Sequence, residues 1–288
     1  MKKIKKAIVA VAGSGTRFLP ATKSMPKEML PIVDKPIIQY VVEELVEGGI
    51  EDIILVTRWD KKPLEDHFDH NWALVNDLDN SGKTELREEM QKISRMANFI
   101  YVRQLPEYGN GVPVLSAASI VKDEPFVFCN GDDVVRSEVP FTKQMIDVYN
   151  ETGNMVMGTQ EVPKEETYKY GILKLKEGTS ELESIIEKPK VEEAPSQMVN
   201  IGRFILNQDV VNALKRTSLG KGNELWLVDA VTKYVDEGGT VNVKQIENGE
   251  WLTTGDPLNF LIANLKFAMD REDISDELKD FINKNYCK

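Results

Sequence analysis

Cysteine and histidine are scarce in this chain, with two of each among 288 residues. Cys129 and Cys287 are too few for a disulfide-stapled secreted scaffold, and no export signal precedes them, so we expect reduced thiols and a cytoplasmic protein. Cys129 ends an apolar run and is predicted to be a buried strand residue. His67 and His70 lie in a polar segment without a third ligand at metal-site spacing, so we expect them on a solvated helix face rather than in a zinc site.

Long apolar runs and an excess of positive charge are also missing. No uninterrupted run approaches the ~20 residues that a membrane-spanning helix needs, so we expect no membrane partner. The net charge of −11 argues against nucleic acid or an anionic membrane surface as a partner. The remaining composition, 41% hydrophobic and 29% charged, is ordinary for a globular protein that buries a sizeable core.

Strand-like and helix-like segments alternate through the first half of the chain. Apolar runs predict strands at 4–11, 52–57, 99–103 and 126–129, and helical spacing predicts helices at 36–47 and 112–121. This alternation is typical of an α/β fold. We expect a Rossmann-like, mostly parallel mixed sheet flanked by helices.

The second half of the chain has shorter strand-like runs with turn signals between them. The predicted strands lie at 155–160, 171–175, 182–186, 199–206 and 241–246, and the predicted helices at 210–214, 225–235, 257–269 and 276–285. These segments predict a continuation of the sheet, a small β subregion and C-terminal helices. Because no linker stands out, we expect one domain over 1–288, with a helical insertion at 62–98 and a C-terminal helical part at 256–288.

A glycine-rich loop follows the first predicted strand, with the sequence AGSGTR at 12–17. Glycine has no Cβ, so backbone N–H groups in such a loop can approach an anion closely. Arg17 and Lys27 add two positive charges, and this cluster in an acidic chain predicts a polyphosphate ligand. The loop lacks the Walker A pattern, and Phe18 occupies the third glycine position of the dinucleotide fingerprint, which disfavours an oxidoreductase. The alternative is an ordinary turn with two solvated surface charges.

An acidic pair follows the apolar strand FVFCN, in the sequence Gly131-Asp132-Asp133. Ligands of open α/β sheets bind at the carboxyl ends of the strands. Mg²⁺ prefers one or two carboxylates and completes its shell with phosphate oxygens and water. We therefore predict Asp132 as a magnesium ligand, the alternative being an acidic turn.

A third cluster places Glu187 and Lys188 side by side in the sequence IIEKPK. A carboxylate can accept hydrogen bonds from sugar hydroxyls while an ammonium holds a phosphate. Neighbouring strand residues point to opposite faces, so both reach one site only where the strand ends or kinks, which Pro189 makes plausible. The alternative is an ordinary surface sequence.

Taken together, these motifs resemble one enzyme family over nearly the whole chain. The segment AGSGTRFLPATKSMPKEMLPIVDKPIIQYVVEE at 12–44 is similar to the start of bacterial UTP–glucose-1-phosphate uridylyltransferases. The resemblance continues in EDHFD at 65–69, GDD at 131–133, YGIL at 170–173, EKPKVEEAPS at 187–196, IGRFIL at 201–206 and TGDPLNFLIANLKFAM at 254–269. The opening segment would also suit thymidylyltransferases that act on glucose 1-phosphate, whereas EDHFD and GDD favour the uridylyl branch.

The resemblance implies that UTP and glucose 1-phosphate react to give UDP-glucose and pyrophosphate, with Mg²⁺ as cofactor. A phosphate oxygen of the sugar phosphate would attack the α-phosphorus of UTP in line, without a protein nucleophile. The implied site residues are, for catalysis, Arg17, Lys27 and Lys188; for the nucleotide, Ala12, Gly13, Gly15, Gln104 and Gly109; for the sugar, Gly171 and Glu187; and for the metal, Asp132. The resemblance also implies a homodimer or homotetramer.

Three segments depart from the family pattern. The usual Pro-Ala-Ala-Gly before the loop is AVAG at 10–13, and Gly-Leu-Gly-His-Ala is GNGVP at 109–113. The late Asp-Thr-Gly is Thr253-Thr254-Gly255, so a carboxylate that helps to hold metal in relatives is missing. These departures leave two alternatives: the same reaction with another nucleotide, such as dTTP, or another sugar, and a catalytically weakened protein that binds UDP-glucose.

Overall fold

The computed structural model describes residues 2–286, and Cys287 lies outside them. Its strands are β1 (Lys6–Ala10), β2 (Pro31–Ile32), β3 (Lys35–Pro36), β4 (Asp52–Thr57), β5 (Asn98–Arg103), β6 (Phe126–Asn130), β7 (Asp133–Ser137), β8 (Met155–Glu161), β9 (Gly171–Leu175), β10 (Leu182–Glu187), β11 (Met198–Leu206), β12 (Val241–Gln245) and β13 (Gly249–Thr253). Its helices are α1 (Ile37–Glu47), α2 (Lys62–Phe68), α3 (Trp72–Asn80), α4 (Thr84–Ile93), α5 (Val112–Ala117), α6 (Phe141–Thr152), α7 (Gln208–Arg216), α8 (Leu227–Asp236), α9 (Pro257–Met269) and α10 (Ser275–Asn285).

The central sheet contains nine strands within residues 2–286. Strands β6, β1, β4 and β5 lie side by side and are parallel. Strand β11 pairs antiparallel with β6 and also pairs with β8 and β9. Strand β10 lies beyond β9, and β12 lies beyond β8. The first half of the chain thus forms a parallel half-sheet, and the second half extends it with mainly antiparallel pairs. The predicted α/β fold class is confirmed.

The inner strands are apolar throughout because core layers cover both faces of the sheet. Ile8 and Phe128 are paired neighbours and pack into one layer with α5, α7 and α8. The next pair, Val9 and Cys129, faces the opposite layer with α1. Cys129 is therefore buried, as predicted, and burial raises the pKa of its thiol to about 11.

The segment predicted as a helical insertion contains α2, α3 and α4, between β4 and β5. Its start packs against the sheet, where the rings of Phe68 and Phe99 stack with centroids 4.4 Å apart. His67 lies on α2 but is partly buried, with Nε2 3.0 Å from Oε1 of Gln39. His70 lies beyond the end of α2, and its Nε2 is buried without a hydrogen-bond partner among the described residues. The prediction of a solvated helix face is wrong for both histidines, because His67 packs against Gln39 of α1 and the ring of His70, outside the helix, lies against that of Trp72.

A small antiparallel ribbon formed by β7 and β13 was not predicted from the sequence. Thr253 at the end of β13 pairs with Asp133 at the start of β7. The ribbon therefore brings the late Thr253-Thr254-Gly255 segment next to the acidic pair. Over the part of the chain that the structure describes, no helix is long and apolar enough to cross a membrane.

Candidate active site

A cavity of about 470 Å³ lies at the carboxyl ends of the parallel strands. Its volume is in the usual range for small-molecule sites. It joins segments that follow β1, β4, β5 and β6. Six of the residues predicted for the site line it: Ala12, Gly13, Lys27, Gln104, Gly109 and Asp132. Five other predicted residues do not line the cavity: Gly15, Arg17, Gly171, Glu187 and Lys188.

The glycine-rich loop is shaped to lie against Lys27. Gly15 has a left-handed backbone with φ of 64°, and its carbonyl oxygen accepts a hydrogen bond from Oγ1 of Thr22 at 2.7 Å. A Cβ added at Gly15 would lie 3.2 Å from Cβ of Lys27, and one added at Gly13 would lie 3.4 Å from Cε of Lys27. Side chains at these two positions would therefore crowd the lysine.

Three of the predicted charged residues, Arg17, Lys27 and Asp132, lie close together beside the glycine-rich loop. Nζ of Lys27 lies 2.5 Å from Oδ2 of Asp132 in an ion pair. Arg17 is exposed, and its Nη1 donates to the carbonyl oxygen of Gly255 at 3.2 Å. A Cβ added at Gly255 would lie 3.4 Å from Nη1 of Arg17 and 3.5 Å from Oδ2 of Asp132. Arg17 and Asp132 therefore approach this glycine together.

The two adjacent aspartates have different surroundings. Asp132 lines the cavity, while its carbonyl oxygen accepts hydrogen bonds from the N–H and the hydroxyl of Thr254, at 3.0 and 2.7 Å. The carboxylate of Asp133 instead accepts hydrogen bonds from Nδ2 of Asn130 at 2.9 Å and Nε1 of Trp251 at 3.0 Å. Burial and the charge of Asp132 raise the pKa of Asp133 to about 6, although these two donors oppose the shift. Asp133 thus anchors the ribbon, and Asp132 is left to face a ligand.

The donor set at Asp132 suits a hard cation that brings its own phosphate ligands. No group of three or more His, Cys, Asp or Glu side chains within residues 2–286 could hold a metal ion. The side chain of Thr253 near Gly255 ends in a hydroxyl rather than a carboxylate. Its Oγ1 lies 3.6 Å from the position that a Cβ at Gly255 would occupy. One carboxylate completed by phosphate oxygens and water fits Mg²⁺.

The opposite end of the cavity is formed by a loop that is hydrogen-bonded to the segment before α8. The N–H of Leu225 donates to the carbonyl oxygen of Tyr108 at 2.8 Å, and the N–H of Gly111 donates to that of Leu225 at 2.9 Å. Gly109 has φ of 122°, and a Cβ there would overlap the backbone of Leu225. This close approach requires glycine.

Two residues of the segment 109–113, which departs from the family pattern, have structural roles in this chain. Oδ1 of Asn110 accepts a hydrogen bond from the N–H of Leu227 at 2.8 Å and so caps the start of α8. Pro113 lies in the first turn of α5, where its missing N–H leaves no intrahelical hydrogen bond unmade. Both residues also line the cavity.

The residues predicted for the sugar meet at the paired ends of β9 and β10. Gly171 pairs with Glu187, and a Cβ added at Gly171 would lie 2.9 Å from Oε2 of Glu187. Strand β10 ends at Glu187, and Lys188 has a left-handed backbone with φ of 49°. Its N–H donates to the carbonyl oxygen of Tyr170 at 3.0 Å. The strand therefore ends at Glu187, directly before Lys188 and Pro189, as expected from the proline, and the side chains of Glu187 and Lys188 are exposed.

Other cavity residues were not predicted from the sequence. Arg58 directly follows β4, so the rule that ligands bind at the carboxyl ends of strands would have found it. Glu224 and Trp226 lie far along the chain, and only the folded structure brings them to the cavity. Nothing in their local sequence indicates this position.

Comparison with known proteins gives close relatives over the full chain. Residues 6–269 match the model of a family described as nucleotidyl transferase. The chain is 44% identical over 287 residues to a UTP–glucose-1-phosphate uridylyltransferase of Staphylococcus epidermidis, covering 99% of each. It is 44% identical over 285 residues to a protein of the same name from Bacillus subtilis, covering 98% of this chain and 97% of that one.

Solved structures are similar in fold as well as sequence. A structure described as UTP-bound UGPase from Acinetobacter baumannii has a TM-score of 0.90 and 34% identity, over 98% of this chain and 99% of that one. A UDP-glucose pyrophosphorylase complexed with UDP-glucose has a TM-score of 0.83 and 36% identity, over 93% of this chain and 100% of that one.

Proposed function

This chain belongs to the nucleotidyl transferase family and, within it, to the UTP–glucose-1-phosphate uridylyltransferases, and we propose that it forms UDP-glucose and pyrophosphate from UTP and glucose 1-phosphate. The observation that carries this proposal is the 44% identity over 287 residues. The cavity supports it, because the cavity joins the glycine-rich loop to Lys27 and Asp132.

The reaction needs charge neutralisation and alignment more than proton transfer. A phosphate oxygen of glucose 1-phosphate forms a bond to the α-phosphorus of UTP. The bond from that phosphorus to the oxygen bridging the α- and β-phosphates breaks, and its electron pair leaves with pyrophosphate. The attacking phosphate is already anionic, so the protein contributes orientation and positive charge.

We assign the residues of the site to the two substrates as follows. Backbone N–H groups of the loop, with the side chains of Arg17 and Lys27, hold the triphosphate, and the base lies toward Gln104 and Gly109. Lys188 holds the phosphate of the sugar, and Gly171 with Glu187 contacts its hydroxyls. The residues assigned to the nucleotide are Ala12, Gly13, Gly15, Gln104 and Gly109, and all but Gly15 line the cavity.

We propose Mg²⁺ as the cofactor, held by Asp132. When bound, the cation would neutralise negative charge on the phosphate oxygens and make the reacting phosphorus more electrophilic. In the structure Nζ of Lys27 forms an ion pair with Asp132, so this carboxylate has a positively charged neighbour. Because Thr253 supplies no carboxylate, phosphate oxygens and water complete the shell.

A competition experiment tests the proposed substrates. The protein is incubated with Mg²⁺, glucose 1-phosphate and equal concentrations of UTP, dTTP, ATP and GTP, and the nucleotide sugars are separated and quantified. We expect UDP-glucose to dominate. If dTDP-glucose were the main product, the protein would instead be a thymidylyltransferase that acts on glucose 1-phosphate. No product, together with UDP-glucose raising the melting temperature, would support a binding protein instead.

We further propose a homodimer or homotetramer that acts in the cytoplasm as one domain over residues 1–288. Helix α9 buries Ala263 against the core but exposes a neighbouring apolar face. That face consists of Leu258, Leu261, Ile262 and Leu265, which are 67%, 63%, 40% and 43% exposed. A contiguous apolar helix face of this kind is typical of a protein interface.

The free buried thiol of Cys129 fits the reducing compartment that we propose for this protein.

A further inference from the structure

Arg58 lines the cavity but has no role in the assignment of the two substrates given above. It directly follows β4, which lies in the sheet between β1, with its glycine-rich loop, and β5. Gln104 directly follows β5, and its backbone N–H donates to the carbonyl oxygen of Thr57 at 2.8 Å. Arg58 and Gln104 therefore leave adjacent parallel strands at the same level, beside the end of the cavity that we assign to the base.

The guanidinium of Arg58 is held in place by a neighbouring carboxylate. Its Nε and Nη2 donate to Oδ1 and Oδ2 of Asp60, both at 2.6 Å. The backbone of Arg58 is fixed as well, because its carbonyl oxygen accepts from the N–H of Lys61 at 3.2 Å and from Nη1 of Arg103 at 2.6 Å. A two-point contact between arginine and carboxylate sets the direction of the guanidinium as well as its position. Arg58 is therefore oriented before a ligand arrives.

The contact with Asp60 leaves Nη1 of Arg58 available for a ligand. This nitrogen donates to no residue within 2–286, the part of the chain that the structure describes. The side chain is partly exposed and lines the cavity, so a ligand group there can reach it. A guanidinium has donors only. It therefore favours a carbonyl oxygen as its neighbour and disfavours an amino group.

Gln104 by itself does not distinguish uracil from cytosine. Its side chain lines the cavity and is not hydrogen-bonded to any other described residue. An amide has an acceptor on one side and a donor on the other, and it can turn over. In one orientation it matches N3–H and O4 of uracil, and in the other it matches N3 and the amino group of cytosine. A neighbouring group that can only donate removes this ambiguity.

We propose that Arg58, oriented by Asp60, is a specificity-determining residue that donates from Nη1 to the O4 carbonyl of uracil. The proposal rests on the proposed function, since it takes a uridine nucleotide as substrate with its base near Gln104. Cytosine has an amino group in place of O4, so two donors would meet without an acceptor. A site built to hydrogen-bond one group rejects an analogue without it, because the donor of the site is left unpaired.

Competition between UTP and CTP tests this role. The native protein and Arg58→Met are each incubated with Mg²⁺, glucose 1-phosphate and both nucleotides at equal concentration. The initial ratio of UDP-glucose to CDP-glucose then equals the ratio of the two kcat/KM values. We expect R58M to lower this ratio at least about tenfold, since Met fills similar space but has no donor. Both products form in one tube, so a smaller folded fraction of the variant does not change the ratio.

Two further variants serve as the control and as a test of Asp60. Arg216→Met is the matched control, because Nη1 and Nη2 of Arg216 are also held by a carboxylate, that of Glu237, at 3.0 and 2.9 Å. Arg216 does not line the cavity, so we expect the native ratio. Asp60→Ala keeps the arginine but frees it, so we expect the ratio to fall less than in R58M. An unchanged ratio in D60A would contradict the orienting role of Asp60.

The native ratio in R58M would overturn the proposal, whether or not the rates change. If the rates with UTP and CTP fell by the same factor, Arg58 would contact the triphosphate, which both nucleotides share. If neither rate changed, Arg58 would have no contact with the nucleotide.

The role of Arg58 and the proposed function fail in different ways. A native protein that forms no nucleotide sugar would refute the function. Calorimetry with UTP and CTP needs no turnover and would still show whether R58M narrows their difference in affinity. A native enzyme that prefers dTTP would change the nucleotide but not the test, because thymine also has a carbonyl at position 4. An active enzyme with unchanged selectivity in R58M would refute only the role of Arg58.

Discussion

Lys188, which we propose as a catalytic residue, lies at a backbone position with an unusual left-handed conformation. Its left-handed φ of 49° follows the last residue of β10, and its side chain is exposed rather than fixed by a partner in the cavity. Such a lysine is free to meet a phosphate when substrate arrives. The sequence motif predicted the residue, and the role stays a prediction.

We expect Lys188→Ala to lower kcat by about 100-fold or more while UTP still binds, since a charged contact made mainly in the transition state is lost. Steady-state kinetics and UTP calorimetry measure the two effects. Lys190→Ala is the control, because Lys190 is exposed and pairs with Glu193 at 3.2 Å. Unchanged turnover in K188A would remove Lys188 from the mechanism.

Thr253 offers a gain-of-function prediction at the metal site. We expect Thr253→Asp to add a carboxylate beside Asp132 and to tighten Mg²⁺ binding about tenfold or more, since a second hard oxygen ligand is gained. Asp132→Asn should weaken it. Mn²⁺ binding followed by electron paramagnetic resonance checks both in the absence of turnover. Thr254→Asp is an unsuitable control, because the hydroxyl of Thr254 is bonded to Asp132. Thr240→Asp, outside the cavity lining, serves instead.

At the scale of elements, the loop that carries Gly109 depends on close backbone contact with Leu225. We expect Gly109→Ala to lower the free energy of unfolding by about 2 kcal/mol or more, through backbone strain and overlap, and to weaken UTP binding. Chemical denaturation and calorimetry measure these effects. Gly238→Ala is the control, because Gly238 has φ of 92° but open space around it. UTP binding that survives G109A would show that the loop does not shape the base end.

Some elements were predictable because their signal is local. Strand β4 was predicted at its observed bounds, since a continuous apolar run marks a strand buried on both faces. Strands β7 and β13 were missed because their surface carries charged residues that pair only in the fold, as Arg136 does with Glu250. Helix α8 begins at Leu227 rather than 225, because Leu225 is hydrogen-bonded to Tyr108 in the loop.

The candidate site shows the same division between local and distant signals. Asp132 was predicted because it follows an apolar strand, and Gly13 was predicted because it belongs to the glycine-rich loop. Both residues line the cavity. Glu224 and Trp226 reach the cavity only through tertiary packing.

At the scale of the whole molecule, the predicted fold class and family are confirmed, and the assembly is a proposal that rests on α9. We expect the native protein to sediment as a dimer or tetramer and Leu261→Glu to shift it toward monomer, since a charge would be placed in an apolar interface. Leu219→Glu is the control, because Leu219 is 50% exposed in the segment after α7 and is not part of the apolar face of α9. A monomeric native protein would contradict the proposed interface.

Pyrophosphate release from UTP and glucose 1-phosphate at increasing Mg²⁺ tests the central claim most directly. We expect turnover that requires both substrates and saturates with Mg²⁺, with UDP-glucose formed in equal amount to pyrophosphate. Thr253 would then be tolerated in place of a carboxylate. The absence of turnover at any Mg²⁺ concentration, in a folded protein that UDP-glucose stabilises against heat, would refute the proposed reaction and indicate a UDP-glucose-binding protein.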